Sequence, residues 1–160
     1  IKIMREDSRS LAHLRENTGC RSIEALLLKL AEHGADPREL QPVLESFPEI
    51  HLDVRLALYI YVGDIKKVKY LIKMGPDYLV EIIRRISWMP GAIFTLPKSL
   101  QLSIIKLMVV RESLPALLTL YYSAPEETAP YLERQLWKLV KSYWQARRGR
   151  RRTADRKSVV

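Results

Sequence analysis

The sequence predicts an all-α fold: short antiparallel helices stacked as an α-solenoid or helical-repeat domain over residues 1–145, then a disordered basic tail over 146–160. Three observations carry that expectation. Apolar residues recur at intervals of three and four along most of the chain. Gly, Pro, Asp and Ser fall between these runs in the order that starts and stops helices. No pair of alternating apolar and polar runs marks a β-hairpin.

Each element follows from its punctuation. Ser22 caps a run from Ile23 to His33, in which Leu26, Leu27, Leu30 and Ala31 share a face. Gly34 closes it as a left-handed C-terminal residue. Asp36-Pro37-Arg38-Glu39 is a fresh start: a cap, a proline tolerated at the first helical position, and an acid in the first turn. Pro42 makes this second helix short or kinked, with an end near Phe47-Pro48. Leu52 to Val62 is the next run, closed by Gly63. Its Leu58-Tyr59-Ile60-Tyr61-Val62 segment has strand-like composition, but the Gly63-Asp64 stop and restart favours a helix.

Asp64 caps the following helix, where Ile65, Val68, Leu71 and Ile72 face one way and Lys66, Lys67, Lys69 and Lys73 largely the other. Gly75 ends it. Tyr78 to about Ser87 forms another helix, and Pro90-Gly91 breaks the chain again. Thr95-Leu96-Pro97 opens a helix that runs to about Val110, and Ser113 with Pro115 opens one that runs to Tyr122. The last helix has two candidate starts, a Ser123–Glu126 capping box and Thr128 with Pro130. Leu132, Leu136, Val140 and Tyr143 form its expected stripe, flanked by Trp137 and Trp144, and the pattern dissolves after Gln145. About eight helices result, joined by turns of roughly 2–6 residues, so neighbours are expected to be antiparallel.

Such helices can form a compact bundle or a stacked solenoid. An internal echo favours the solenoid: Leu27, Leu30, Ala31, Gly34 and Asp36 recur 41 residues later as Val68, Leu71, Ile72, Gly75 and Asp77. From 53 to 77, a stretch that includes the second copy, Leu56-Ala57, Gly63, Val68, Leu71-Ile72, Gly75 and Asp77 occupy the places of a degenerate repeat motif. Residues 53–77 thereby resemble an ankyrin repeat. Glu32-His33-Gly34-Ala35-Asp36 resembles the end of such a repeat. His51-Leu52-Asp53-Val54 stands where the family has Thr-Pro-Leu-His, and the spacing of 41 exceeds the family's ~33 residues. The resemblance implies binding by surface contacts, without catalysis.

Composition narrows the function classes. The chain has 160 residues, 48% hydrophobic and 28% charged, which is ordinary globular usage. Its net charge is +9, but 141–160 holds eight basic residues against the single acid Asp155, so most of the excess lies at the end. The near-neutral remainder argues against a basic folded face gripping nucleic acid. One cysteine, Cys20, excludes an internal disulfide and points to a reducing compartment, cytoplasmic or nuclear. The start at Ile1 suggests a C-terminal fragment of a larger intracellular protein. The longest apolar run, Leu102 to Val110, is too short to span a membrane and is interrupted by Lys106.

Residue spacing offers no catalytic pattern. His13, His33 and His51 lie 20 and 18 residues apart, which matches no metal-ligand set, and no cofactor is implied. No glycine-rich phosphate loop or G-x-S-x-G element occurs. The chain is therefore expected to be non-enzymatic: a protein–protein interaction scaffold or adaptor. The candidate contacts are Trp88 and Phe94 around the Pro90-Gly91 break, Arg84 and Arg85 as a charged rim, and the Lys66, Lys67, Lys69 and Lys73 face. The alternative is a nucleic-acid-binding module using Arg147, Arg148, Arg150, Arg151 and Arg152, a cluster that also suits an anionic surface. Ser158-Val159-Val160 resembles a PDZ-domain ligand.

Overall fold

The computed structural model describes residues 22–159, with side chains from 22 to 149. His13, Cys20 and Val160 lie outside the described residues, as do the side chains of Arg150, Arg151, Arg152 and Ser158. The described residues form nine helices and no strand: α1 (Ile23–Glu32), α2 (Pro37–Ser46), α3 (Leu52–Val62), α4 (Ile65–Met74), α5 (Pro76–Arg85), α6 (Met89–Ile93), α7 (Lys98–Val110), α8 (Leu114–Ser123) and α9 (Ala129–Val159). The all-helical expectation holds. The helix added to those expected is α6. It forms across Pro90-Gly91 because a proline in the first turn gives up only an N–H that has no helical acceptor.

Local chemistry sets the boundaries. The Ser22 hydroxyl accepts from the Ala25 N–H at 3.1 Å, and an Asp36 carboxylate oxygen accepts from the Arg38 N–H at 3.0 Å. Asp64 caps α4 through the Lys67 N–H at 3.3 Å, and its other oxygen accepts from Gln41 Nε2 at 2.8 Å, tying the start of α4 to α2. Gly34 (φ 81) and Gly63 (φ 79) are both left-handed. The N–H of the next residue then reaches back to a carbonyl five positions earlier, Ala35 to Leu30 at 2.9 Å and Asp64 to Tyr59 at 3.1 Å.

Gly75 acts differently. Its φ is −147, and the Tyr78 ring lies so close that a Cβ at this position would collide with it. The sequence echo between residues 27–36 and 68–77 therefore stops short of the backbone. Asp36 caps a helix from outside, whereas Asp77 sits within the first turn of α5.

The chain forms two compact units, one ending at Gln101 and one beginning at Leu102. The first is assembled around α3, which packs against α1, α2, α4, α5 and α6. Five consecutive residues, Leu56 to Ile60, are buried. At 3.6 residues per turn five positions encircle a helix, so α3 is enclosed on every side over this apolar stretch. Taken as helix pairs α1–α2, α3–α4 and α5–α6, the middle pair meets the pair on either side through α3. Around it lie buried Leu26 and Leu27 of α1, Leu40, Val43 and Leu44 of α2, Val68 of α4, and Leu79, Ile82 and Ile83 of α5. Arg55 holds the approach to α3, donating from Nε to the Ile50 carbonyl at 3.1 Å and from Nη2 to the Phe47 carbonyl at 2.6 Å.

In the second unit α8 packs against α9. Glu112, left-handed at φ 53 without being glycine, turns the chain between α7 and α8. The helix α9 begins at Ala129, after buried Thr128, and not at the Ser123–Glu126 box. Ser123 serves instead as the last residue of α8. The helix α9 extends to Val159. Arg, Lys, Gln and Ala are good helix formers, and no proline interrupts them. Among the described residues no helix is long and apolar enough to cross a membrane.

Substitutions should rank accordingly. Leu58→Ala, at a site with 0% exposure, should destabilise the first unit by about 2–5 kcal/mol. Gly63→Ala meets no steric neighbour but must hold a left-handed φ, and should cost about 1–2 kcal/mol. Urea denaturation followed by circular dichroism measures both.

Candidate functional site

Trp88 precedes α6 and remains half-buried, while Met89, Pro90 and Ile93 behind it enter the core. Its indole meets the Tyr61 ring edge-on, with centroids 5.6 Å apart and planes at 72°. Beside this pair opens a cleft of about 210 Å³, lined by Ala31, Tyr61, Trp88, Gly91, Ala92 and Thr95. The small residues leave the space and the two aromatic rings wall it. Thr95 Oγ1 donates to the Ala92 carbonyl at 2.6 Å, so the threonine presents its methyl-bearing side chain with the hydroxyl already satisfied. The Tyr61 hydroxyl donates to the Ala35 carbonyl, just past the left-handed end of α1. Burial, and secondarily the Asp36 carboxylate, push the Tyr61 phenol above its ordinary range. The cleft can receive an apolar side chain.

Of the expected contact residues, only Trp88 lines this cleft. Phe94 is half-buried, and its carbonyl accepts from Gln101 Nε2 at 3.1 Å. Arg84 and Arg85 are exposed at the end of α5, and Arg85 Nε pairs with Glu81 at 3.1 Å, one turn back. Lys66, Lys67, Lys69 and Lys73 are exposed on α4 together with Tyr70 and Met74. The Lys67 ammonium sits 5.5 Å from the centre of the Tyr59 ring. Tyr61 was missed by sequence reasoning. Its place two residues ahead of Gly63 was visible, but its meeting with Trp88 is a tertiary contact across 27 residues.

The second surface departs most from expectation. Buried residues of α9 are Leu132, Gln135 and Leu139; Val140 and Tyr143, assigned to the buried stripe, are exposed, as are Trp137 and Trp144. The reason is length. Helix α8 has ten residues, about 15 Å, while α9 has 31, about 46 Å. The shorter helix runs out, and every residue from Val140 to Gly149 is exposed. Arg147 and Arg148 lie here, with the Arg148 guanidinium 5.1 Å from the centre of the Trp144 ring.

His33 is exposed, and His51 Nδ1 meets the Asp53 carboxylate at 2.7 Å, at the start of α3. Among the described residues no group of three His, Cys, Asp or Glu side chains is placed to hold a metal. No family model, curated protein or solved structure matches this chain.

The Tyr61 geometry makes a pH prediction. A phenol whose folded pKa is raised contributes stability that is present below its ordinary pKa near 10 and lost as pH rises through the folded value. Unfolding free energy should therefore fall in alkaline solution. Tyr61→Phe should flatten that fall and, near neutrality, cost about 1 kcal/mol for the lost hydrogen bond. Denaturation measured across alkaline pH, for both forms, checks this.

Proposed function

We propose that this chain is a non-catalytic scaffold that holds another protein, with the Tyr61–Trp88 cleft as the seat for one apolar side chain of the partner. The observation that carries the proposal is the open apolar cleft whose aromatic walls are held in place. Tyr61 projects from the enclosed helix α3 and is bonded to Ala35, and Trp88 is braced against it. Trp and Tyr supply much contact area for little loss of conformational freedom, which is why they concentrate in binding hot spots. In this reading the α3–α4 hairpin plays the part of an ankyrin-like unit in a helical scaffold. The exposed lysines of α4 favour a partner with acidic groups. The single cysteine suits a reducing, intracellular setting.

Gly91 provides the test. Gly91 lines the cleft, a Cβ there meets nothing within 4 Å, and its φ is ordinary, so a side chain can be added at the cleft wall without a clash at its first atom. Gly91→Leu should leave the melting temperature and helical content unchanged, and should remove the partner that the unaltered chain recovers in a cross-linking pull-down. Recovery of the same partners at the same yield by Gly91→Leu would overturn the proposal.

A further inference from the structure

We propose that the exposed face of α9, from Trp137 to Arg148, lies against the surface of an anionic phospholipid membrane. This goes beyond the scaffold function and does not rest on the Tyr61–Trp88 cleft.

The face has a defined shape. Trp137 (57% exposed), Val140 (41%), Tyr143 (59%) and Trp144 (59%) fall within an arc of about 120° when each residue advances the helix by about 100°. Leu132, Gln135 and Leu139 are buried on a side of the same helix that Tyr143 continues past the end of burial, while Trp137 and Trp144 stand well away from it. On that wheel the outward direction, opposite Leu139, runs through Trp144, Trp137, Arg148 and Lys141. A flat surface can reach those residues together without meeting the elements that bury Leu139.

The chemistry of the face matches a membrane interface. Indole and phenol rings pair an apolar body with a polar tip and settle at the boundary between headgroups and acyl chains. Beside them stand Arg134, Lys138, Lys141, Arg147 and Arg148, all exposed. Along the chain no acidic residue occurs from Arg134 to Ala154, and Arg150, Arg151 and Arg152 extend the same charge. Aromatic residues on one face, with bases beside and beyond them, are the features of a helix that lies on an anionic leaflet. Since no described helix can cross a bilayer, the contact is peripheral.

Two other occupants fit less well. Single-stranded nucleic acid would need free ring faces for base stacking, yet the Arg148 guanidinium already lies over Trp144. A protein groove that wraps a helix would be blocked around Trp137, where the neighbouring turns are still packed through Gln135 and Leu139.

The test uses the full chain and vesicles of phosphatidylcholine, with and without phosphatidylserine. Co-sedimentation and a blue shift of tryptophan emission should appear with phosphatidylserine, and should weaken without it and at high salt. The double variants Trp137→Ala/Trp144→Ala and Lys138→Glu/Lys141→Glu alter only exposed side chains. Each should keep the helical spectrum and lower vesicle affinity by at least about tenfold. Gly91→Leu should bind vesicles like the unaltered chain, which separates this surface from the cleft. The inference is overturned by equal sedimentation with both vesicle types. It is overturned equally if affinity survives the tryptophan substitutions, or if the chain binds an oligonucleotide and no vesicle.

Discussion

The enclosure of α3 is the constraint on which the first unit depends. Five buried residues in succession, Leu56 to Ile60, leave the middle of this helix no side on which it could face water. The other helices are needed to cover it. Each of α1, α2, α4, α5 and α6 brings apolar residues to this centre, and α4 turns its four exposed lysines outward. The burial that holds the unit together also sets the position of Tyr61, which follows the buried run directly. A side chain projecting from an enclosed helix is held far more firmly than one on a loop, because moving it would require moving the core.

What could be read in the sequence was what local rules decide. The caps at Ser22, Asp36 and Asp64 and the left-handed glycines 34 and 63 act within a few residues, and all of them are where sequence alone put them. The strand-like look of residues 58–62 has a physical source. A helix buried all round and a fully buried strand both need continuous apolar residues, and only the neighbouring stop signal separates them. Glycine 75 shows the limit of the same rules. It ends α4 as expected, yet for the sake of the Tyr78 ring and not for a left-handed turn.

What could not be read was decided by partners distant in the chain. The Tyr61–Trp88 contact joins α3 to the residue before α6, and no spacing announces it. On α9 the apolar periodicity continues past the point where burial ends, since periodicity records a face and not the length of the helix that covers it. Val140 and Tyr143 keep the rhythm of a core stripe while standing in solvent. A sequence pattern that outlasts its intramolecular partner is informative in itself, because exposed aromatic residues in a row are unfavourable to leave in water unless something else covers them.

Native-state hydrogen exchange measures the central claim most directly. If the first unit is built around α3, the amides of Leu56 to Ile60 should be its slowest, exchanging only when the whole unit unfolds. Their protection should fall in parallel with global stability as denaturant is added. Exchange of these amides at the rates found in α2 or α4, by local opening that denaturant does not affect, would contradict it.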